Sequence, residues 1–267
     1  MNNVQLLSKP VAPSSITKPI ELYIFIDPLC KKALKMQTML RKLQLQYDHY
    51  FTWRYVLSTK LVSLNGLRRT KGCLTGAELD ITHPALPSIA IKAAELQGKR
   101  AASRYLLKLQ EHALLNTKDV TSYSVLIDIA RETNLDIDEF INDFGSKEAA
   151  RAFQCDLHIT REMEVDEIPS IVFFNECIED EGLKVSGMYA YDVYVHILQE
   201  MLDDTLTCQN LPTIEELFNR FHSLTTADVA EIYSITEQEA ERELKKRMLQ
   251  QKLDRLTNED ITLWRKK

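Results

Sequence analysis

Cys30 stands where a short apolar run gives way to a helical pattern, in the stretch Asp27-Pro28-Leu29-Cys30-Lys31-Lys32-Ala33. A thiol in the first helical turn feels the positive end of the helix dipole. Lys31 and Lys32 add charge of the same sign, and both effects favour thiolate. The chemistry this suggests is thiol–disulfide exchange. Turnover in such chemistry needs a second thiol to release the mixed disulfide, and the position where a Cys-x-x-Cys pair would supply it is Ala33. The plainer account of Cys30 is a small residue packed at a helix start. A second feature is Ile168-Pro169, directly ahead of Ser170-Ile171-Val172-Phe173-Phe174. An X-Pro bond adopts cis at modest cost, and a cis proline beside a helix N-terminus exposes backbone groups that pair with an extended peptide. A trans proline opening a strand fits the spacing equally well.

The remaining reactive side chains form no recognisable constellation. The five cysteines (Cys30, Cys73, Cys155, Cys177 and Cys208) are odd in number and contain no Cys-x-x-Cys, so neither a disulfide framework nor a zinc knuckle is expected. Among the six histidines there is no His-Glu-x-x-His; His158 and Glu162, at i and i+4, read as a solvated helical pair. Gly-rich phosphate loops and Gly-x-Ser-x-Gly are missing from the sequence. The expectation is no catalytic residue, no metal and no cofactor.

These residues must be positioned by elements, and the composition allows a full core. The chain has 267 residues, 45% hydrophobic and 27% charged, with only 7 Gly and 8 Pro. That is a globular composition, and it excludes collagen-like and disordered classes. Its net charge of −6 lacks the basic footprint of phosphate-driven nucleic-acid binding. The longest apolar runs are far too short for a membrane span. Residues 1–19 are polar with scattered Pro and Ser and no apolar signal core, which reads as a flexible leader on a cytoplasmic protein.

Glu21–Asp27 reads as a buried strand ended by Pro28. Leu29, Ala33, Met36, Leu40 and Leu43 then step by helical spacing, with Lys31, Lys32, Lys35, Arg41 and Lys42 on the opposite side. Tyr50–Leu57 alternates as a second strand, and the short crossover predicts a parallel βαβ unit. Residues 58–84 read as irregular. A helical insertion over about 85–164 follows, with starts expected at Ser88, Ser122 and Asp136-x-x-Glu139. Strands return at Ser170–Phe174 and Leu183–Ser186, and a closing helix carries Tyr191, Tyr194, Val195, Leu198, Met201 and Leu202. Asp203–Pro212 is a polar boundary. Beyond it, Thr213-x-x-Glu216 and Thr236-x-x-Glu239 are capping boxes that predict helices over 214–222 and 237–255, with a third at 226–233 and a small flap at Ile261, Leu263 and Trp264. The C-terminal helix–turn–helix raises a DNA-binding reading. Glu237, Glu239, Glu241 and Glu243 at the start of its longer helix would face phosphate in that use and count against it.

Strand, Pro-Leu-Cys, helix, strand, helical insertion, Ile-Pro, hairpin and helix follow one another in the order of a DsbA-type thioredoxin-like fold. The segments KPIELYIFIDPLC (18–30), AIKAAELQGK (90–99), DLHITREMEVDEIPSIVFFNE (156–176), EGLKVSGMYAYDVYVHIL (181–198) and ELKKRMLQQKLDRL (243–256), with Trp264, resemble the SpxH (YjbH) family over roughly residues 18–265. The resemblance implies an α/β thioredoxin-like body at 20–208 and a small, mostly helical C-terminal domain at 213–267. It also implies an adaptor that binds the transcription regulator Spx and promotes its degradation by the ClpXP protease, with direct contact to ClpX left open and no nucleic-acid or membrane partner. By analogy with thioredoxin client grooves, the implied partner-binding face holds Leu29, Cys30, Ile168 and Pro169; another face of the body, or the tail, remains an alternative. Family members of the Bacillus type carry Cys-x-x-Cys at the helix start, and some a His/Cys-rich, zinc-associated N-terminus. This chain keeps only Cys30, with Ala33 at the vestigial second position, and residues 1–19 hold neither His nor Cys. The alternative activity is a monothiol thioredoxin-like oxidoreductase or isomerase using Cys30.

Overall fold

The first strand, β1 (Ile20–Ile26), is apolar almost throughout because both its faces are covered. Leu22, Ile24 and Ile26 enter the main core, while Phe25 joins Val56, Val165 and Val172 in a smaller one on the other side. The computed structural model of the chain describes residues 18–58, 85–115, 118–175, 182–258 and 261–267. The irregular stretch expected at 58–84 lies almost wholly outside these, as do Cys73, Cys177 and most of the expected leader at 1–19.

Helix α1 (Lys31–Tyr47) turns Ala33, Met36, Leu40 and Leu43 into the main core, each 1% exposed or less. It leads to β2 (Phe51–Leu57), which pairs with β1 in parallel from Ile20↔Phe51 to Ile26↔Leu57. This is the βαβ unit that the spacing predicts. The helical insertion comprises α2 (Leu86–Leu96), α3 (Lys99–Leu115), α4 (Tyr123–Glu132), α5 (Ile137–Phe144) and α6 (Lys147–Glu162). Its first helix begins earlier than Ser88: Ala85 is the N-cap, Pro87 sits in the first turn, and Ser88 is buried inside the helix. Proline there presets the helical backbone at no hydrogen-bond cost, and so replaces the side-chain cap. Asp136 and Ser146 do cap their helices, accepting from the N–H groups of Glu139 and Ala149. The insertion is tied to the sheet by a buried pair. Lys92 Nζ lies 2.7 Å from Asp156 Oδ2, which also accepts the Leu57 N–H at 2.8 Å.

β3 (Ser170–Phe174) runs antiparallel to β1, and β4 (Leu183–Ser186) antiparallel to β3, giving the four-stranded order β2-β1-β3-β4. α7 (Tyr191–Leu202) closes this unit with Tyr194, Ile197 and Leu198 in the main core. Among the described residues no helix is long and apolar enough to cross a membrane.

The C-terminal segment is α8 (Ile214–Phe221), β5 (Ser223–Thr225), α9 (Thr226–Tyr233), α10 (Glu237–Leu249), β6 (Leu253–Thr257) and β7 (Thr262–Lys266), with the three strands ordered β5-β7-β6. This element order and strand order are those of a winged helix-turn-helix unit. The helix expected to run to residue 255 stops at Leu249, Gln251 takes a φ of 60°, and the chain turns into β6. The expected flap at Ile261, Leu263 and Trp264 belongs to the hairpin β6–β7, with β7 as the central strand. Trp264 is fully buried in this core, beside Phe218, Leu224, Ile232 and Leu244.

Candidate functional site

At the carboxyl end of β1 the chain makes a tight turn before α1. Asp27 Oδ1 accepts the Leu29 N–H at 3.0 Å, and its carbonyl accepts the Cys30 N–H at 3.0 Å. Cys30 is therefore held extended, with φ −78° and ψ 124°, as the N-cap of α1 rather than within its first turn. Its carbonyl accepts the Ala33 N–H at 2.9 Å, but its thiol makes no capping bond. The Cys30 side chain is half-buried against the main core, and Leu29 is half-buried beside it. Ala33 points the other way, into the core, with no exposed surface.

Pairing of Phe25 with Ser170 brings the end of β1 to the start of β3. The Ile168–Pro169 bond just ahead of that strand is cis. Pro169 is buried and its carbonyl accepts the Gly187 N–H at 2.9 Å, while Ile168 is half-buried. Across the same corner, Lys32 Nζ lies 3.9 Å from Glu167 Oε1, both largely exposed. Gly187 has a φ of 84°, and a Cβ there would lie 3.3 Å from Glu167 Oε1, so the turn after β4 favours glycine. The four residues nominated from the sequence thus share one end of the sheet, joined by β1–β3 register.

What sequence reasoning missed is the second wall of this corner. The Arg41–Lys42 end of the basic side of α1 is covered by the C-terminal unit, while Lys32 and Lys35 stay exposed. Arg41 Nη1 lies 3.1 Å from Asp228 Oδ2, Thr38 donates to the same carboxylate, and Lys42 Nζ donates to Ser234 Oγ at 2.8 Å. Leu45, from the same helix, is buried in the C-terminal core. A groove of about 1100 Å³ runs between α1 and this unit, from Pro28 and Leu29 past Leu34 and Thr38 to Glu237 and Glu241 of α10. Leu29 therefore faces two walls, and the acidic start of α10 points at the body.

The rest of α10 spends its cations locally. Glu241 pairs with Lys245 at 2.9 Å and with Arg255 at 3.5 Å, and Glu243 pairs with Arg247 at 2.8 Å. Hydrogen bonds from Lys245 hold the Glu241 carboxyl below its usual range, and those from Lys246 and Arg247 do the same for Glu243. Cys155 and Cys208 are exposed, and Cys30, Cys155 and Cys208 are all free thiols. His158 and Glu162 are 3.9 Å apart with more than two thirds of each side chain exposed, the solvated helical pair expected. Among the described residues no group of three or more His, Cys, Asp or Glu could hold a metal ion.

Comparison with known proteins places this geometry in a family. The family model described as Thioredoxin matches residues 23–196. The fold is shared with solved structures. These include a protein described as a disulfide isomerase of Nitrosomonas europaea (TM-score 0.53, 13% identity, covering 69% of this chain and 96% of that one). Another is alpha-DsbA1 of Wolbachia pipientis (TM-score 0.51, 12% identity, covering 72% and 92%). At such identity they speak for the fold alone. The ClpXP adapter protein SpxH of Shouchella clausii is 40% identical over 93% of this chain and 89% of its own length. The proteins of that name from Halalkalibacterium halodurans and Bacillus subtilis are 38% and 34% identical over the same shares. Coverage of 93% takes in most of the winged C-terminal unit as well as the body, so the chain belongs to the family of ClpXP adapter proteins named SpxH, built on a thioredoxin-like scaffold.

Proposed function

We propose that this chain is a cytoplasmic adaptor that binds Spx and promotes its degradation by ClpXP, without catalysing a reaction itself. The observation that carries the reading is the likeness to SpxH adapter proteins along nearly the whole chain, tail included. An adaptor needs no chemical step. Tethering a substrate near its protease raises the effective concentration into the millimolar range for short linkages, and holding it so that its tail is presented requires only differential affinity for that state.

The corner at the end of β1 fits such a role. Leu29, Cys30, Ile168 and Pro169 are the residues that we assign to partner contact, with Cys30 there as a half-buried packing residue. Ala33 fills the core where a resolving thiol would sit in a Cys-x-x-Cys pair, so the second thiol of such a pair is missing at that position. The chain divides into a leader (1–19), a body (20–208) that includes the helical insertion (about 85–164), and a tail (213–267). The polar stretch 203–212 separates them, and separate apolar clusters support the body–tail division.

Reconstituted ClpXP degradation of Spx, with and without this protein, tests the reading. Acceleration of Spx loss at substoichiometric adaptor is expected. An unchanged rate contradicts it.

A further inference from the structure

A second groove, of about 980 Å³, adjoins the first at the body–tail junction, sharing Leu107, Glu111 and Ser223 with it, and lies between β2, α3 and the turn from α8 into β5. Its floor is apolar. Trp53 and Tyr55, half-buried on β2, stand edge to face with centroids 5.1 Å apart, and Ile91 and Leu106 line the groove with them. Its charge is opposite in sign to that of the molecule: eight Lys and Arg line it against three Glu, in a chain of net −6.

Those glutamates are already engaged. Glu95 pairs with Lys92 at 2.8 Å, Glu111 with Lys108 at 2.9 Å and with Arg265, and Glu132 with Lys108 at 3.2 Å. Arg54 stacks over Tyr23 with its guanidinium 4.4 Å from the ring centre, and Arg220 reaches Asp48 at 3.7 Å. That leaves Lys99, Arg100 and Arg104, all exposed on α3, with no carboxylate partner among the described residues. Arg100 and Arg104 are one helical turn apart, a like-charge spacing that costs helix stability rather than adding to it. Arg265, across the groove on β7, has a buried Nε with no hydrogen-bond partner.

From this we infer that the groove between β2–α3 and the tail is a docking surface for an acidic segment of a partner protein, one that carries an aromatic or aliphatic residue among its carboxylates. The guanidinium groups of Arg100 and Arg104 offer forks for carboxylates, and the Trp53–Tyr55 floor takes the apolar anchor. A nucleic acid fits less well. The two rings are turned edge-on to each other rather than laid out as successive stacking platforms for bases. The inference goes beyond the adaptor reading, since it names a separate surface and the chemistry of what that surface takes.

The test uses the full chain and a short labelled peptide of glutamates flanking one phenylalanine. The comparison probes are the same peptide with lysine for glutamate, and single-stranded oligothymidylate. The glutamate peptide should bind saturably, weaken as salt is raised, and shift the emission of Trp53; Trp264, fully buried in the tail, supplies a constant background. The double variant Arg100→Glu/Arg104→Glu, at exposed positions and checked by circular dichroism, should lose about tenfold or more in affinity. Trp53→Leu, which removes the aromatic anchor site, should weaken binding without changing its salt dependence. Absence of saturable binding, equal affinity in the charge-reversed variant, or tighter binding of oligothymidylate than of the glutamate peptide would overturn the inference. The assay contains neither Spx nor ClpXP, so its failure and that of the adaptor reading are separately visible.

Discussion

Two kinds of residue govern the behaviour of this chain, and the sequence announces only one of them. Cys30 and Pro169 are legible because thiols and prolines are few and their neighbours fix a strand end or a helix start. Lys92 and Asp156 are not. Nothing in the sequence pairs two charges 64 positions apart, yet their side chains are 7% and 4% exposed and in contact. Burial raises the Asp156 carboxyl above its usual range despite Lys92, so desolvation costs more than the pair returns. Removing one partner is worse than never having had the pair. Lys92→Ala should therefore destabilise the body by about 3–5 kcal/mol, read as a shift in the urea midpoint at unchanged slope; a shift worth under about 1 kcal/mol would show that Asp156 finds water instead.

Glu132 behaves in the opposite sense. Partial burial alone would raise its carboxyl, but hydrogen bonds from His112, Lys108 and Lys118 prevail and bring it down to about 2. A carboxylate depressed in the folded state stabilises at pH above its ordinary value of 4.5, and that contribution is lost as pH falls from there toward about 2. Thermal midpoints of wild type and Glu132→Gln should differ at neutral pH and converge across that window. A constant difference would contradict the assignment.

At the level of elements, periodicity predicted most of the framework, and its failures have physical causes. The strand–helix–strand start, the hairpin partner at Leu183–Ser186 and the three C-terminal helix starts follow from alternation, helical spacing and capping residues. The end of α10 does not, because Leu249, Leu253 and Leu256 continue helical spacing across the break. Only pairing with β7 reveals that Leu253–Thr257 is a strand. The docking of the tail was equally hidden. Arg41 and Lys42 look solvated in sequence, yet Lys42 is buried and Arg41 partly buried, in contact with Asp228 and Ser234 of the tail.

Asp228 has two tasks: its carboxylate caps α9 in a box with Thr225, and it receives Arg41 and Thr38 of α1. Asp228→Ala removes a cap worth about 1 kcal/mol and leaves a nearly buried guanidinium unpaired, so a total loss of about 3–5 kcal/mol is expected. Asp228→Asn keeps an acceptor for the cap and should cost less. Equal losses for both, measured by chemical unfolding, would mean that the charge contributes nothing at this junction.

For the whole molecule, the thioredoxin-like body and winged tail share α1 as a common wall. One side of that helix fills the main core and part of the other is covered by the tail, with two adjoining grooves at the junction. The order of elements and the family resemblance made the body and the adaptor role legible in the sequence. The grooves were not, because they arise where two units meet and no local pattern encodes that meeting. The central claim is that a redox scaffold serves here as a docking surface without electron transfer. The most direct test compares wild type with Cys30→Ala in ClpXP-dependent degradation of Spx. The account predicts that the acceleration persists in Cys30→Ala, weakened by no more than the loss of one half-buried contact, because the alanine keeps the turn at the start of α1 and loses only a thiol. Abolition of the acceleration by that single substitution, with the fold intact, would contradict it.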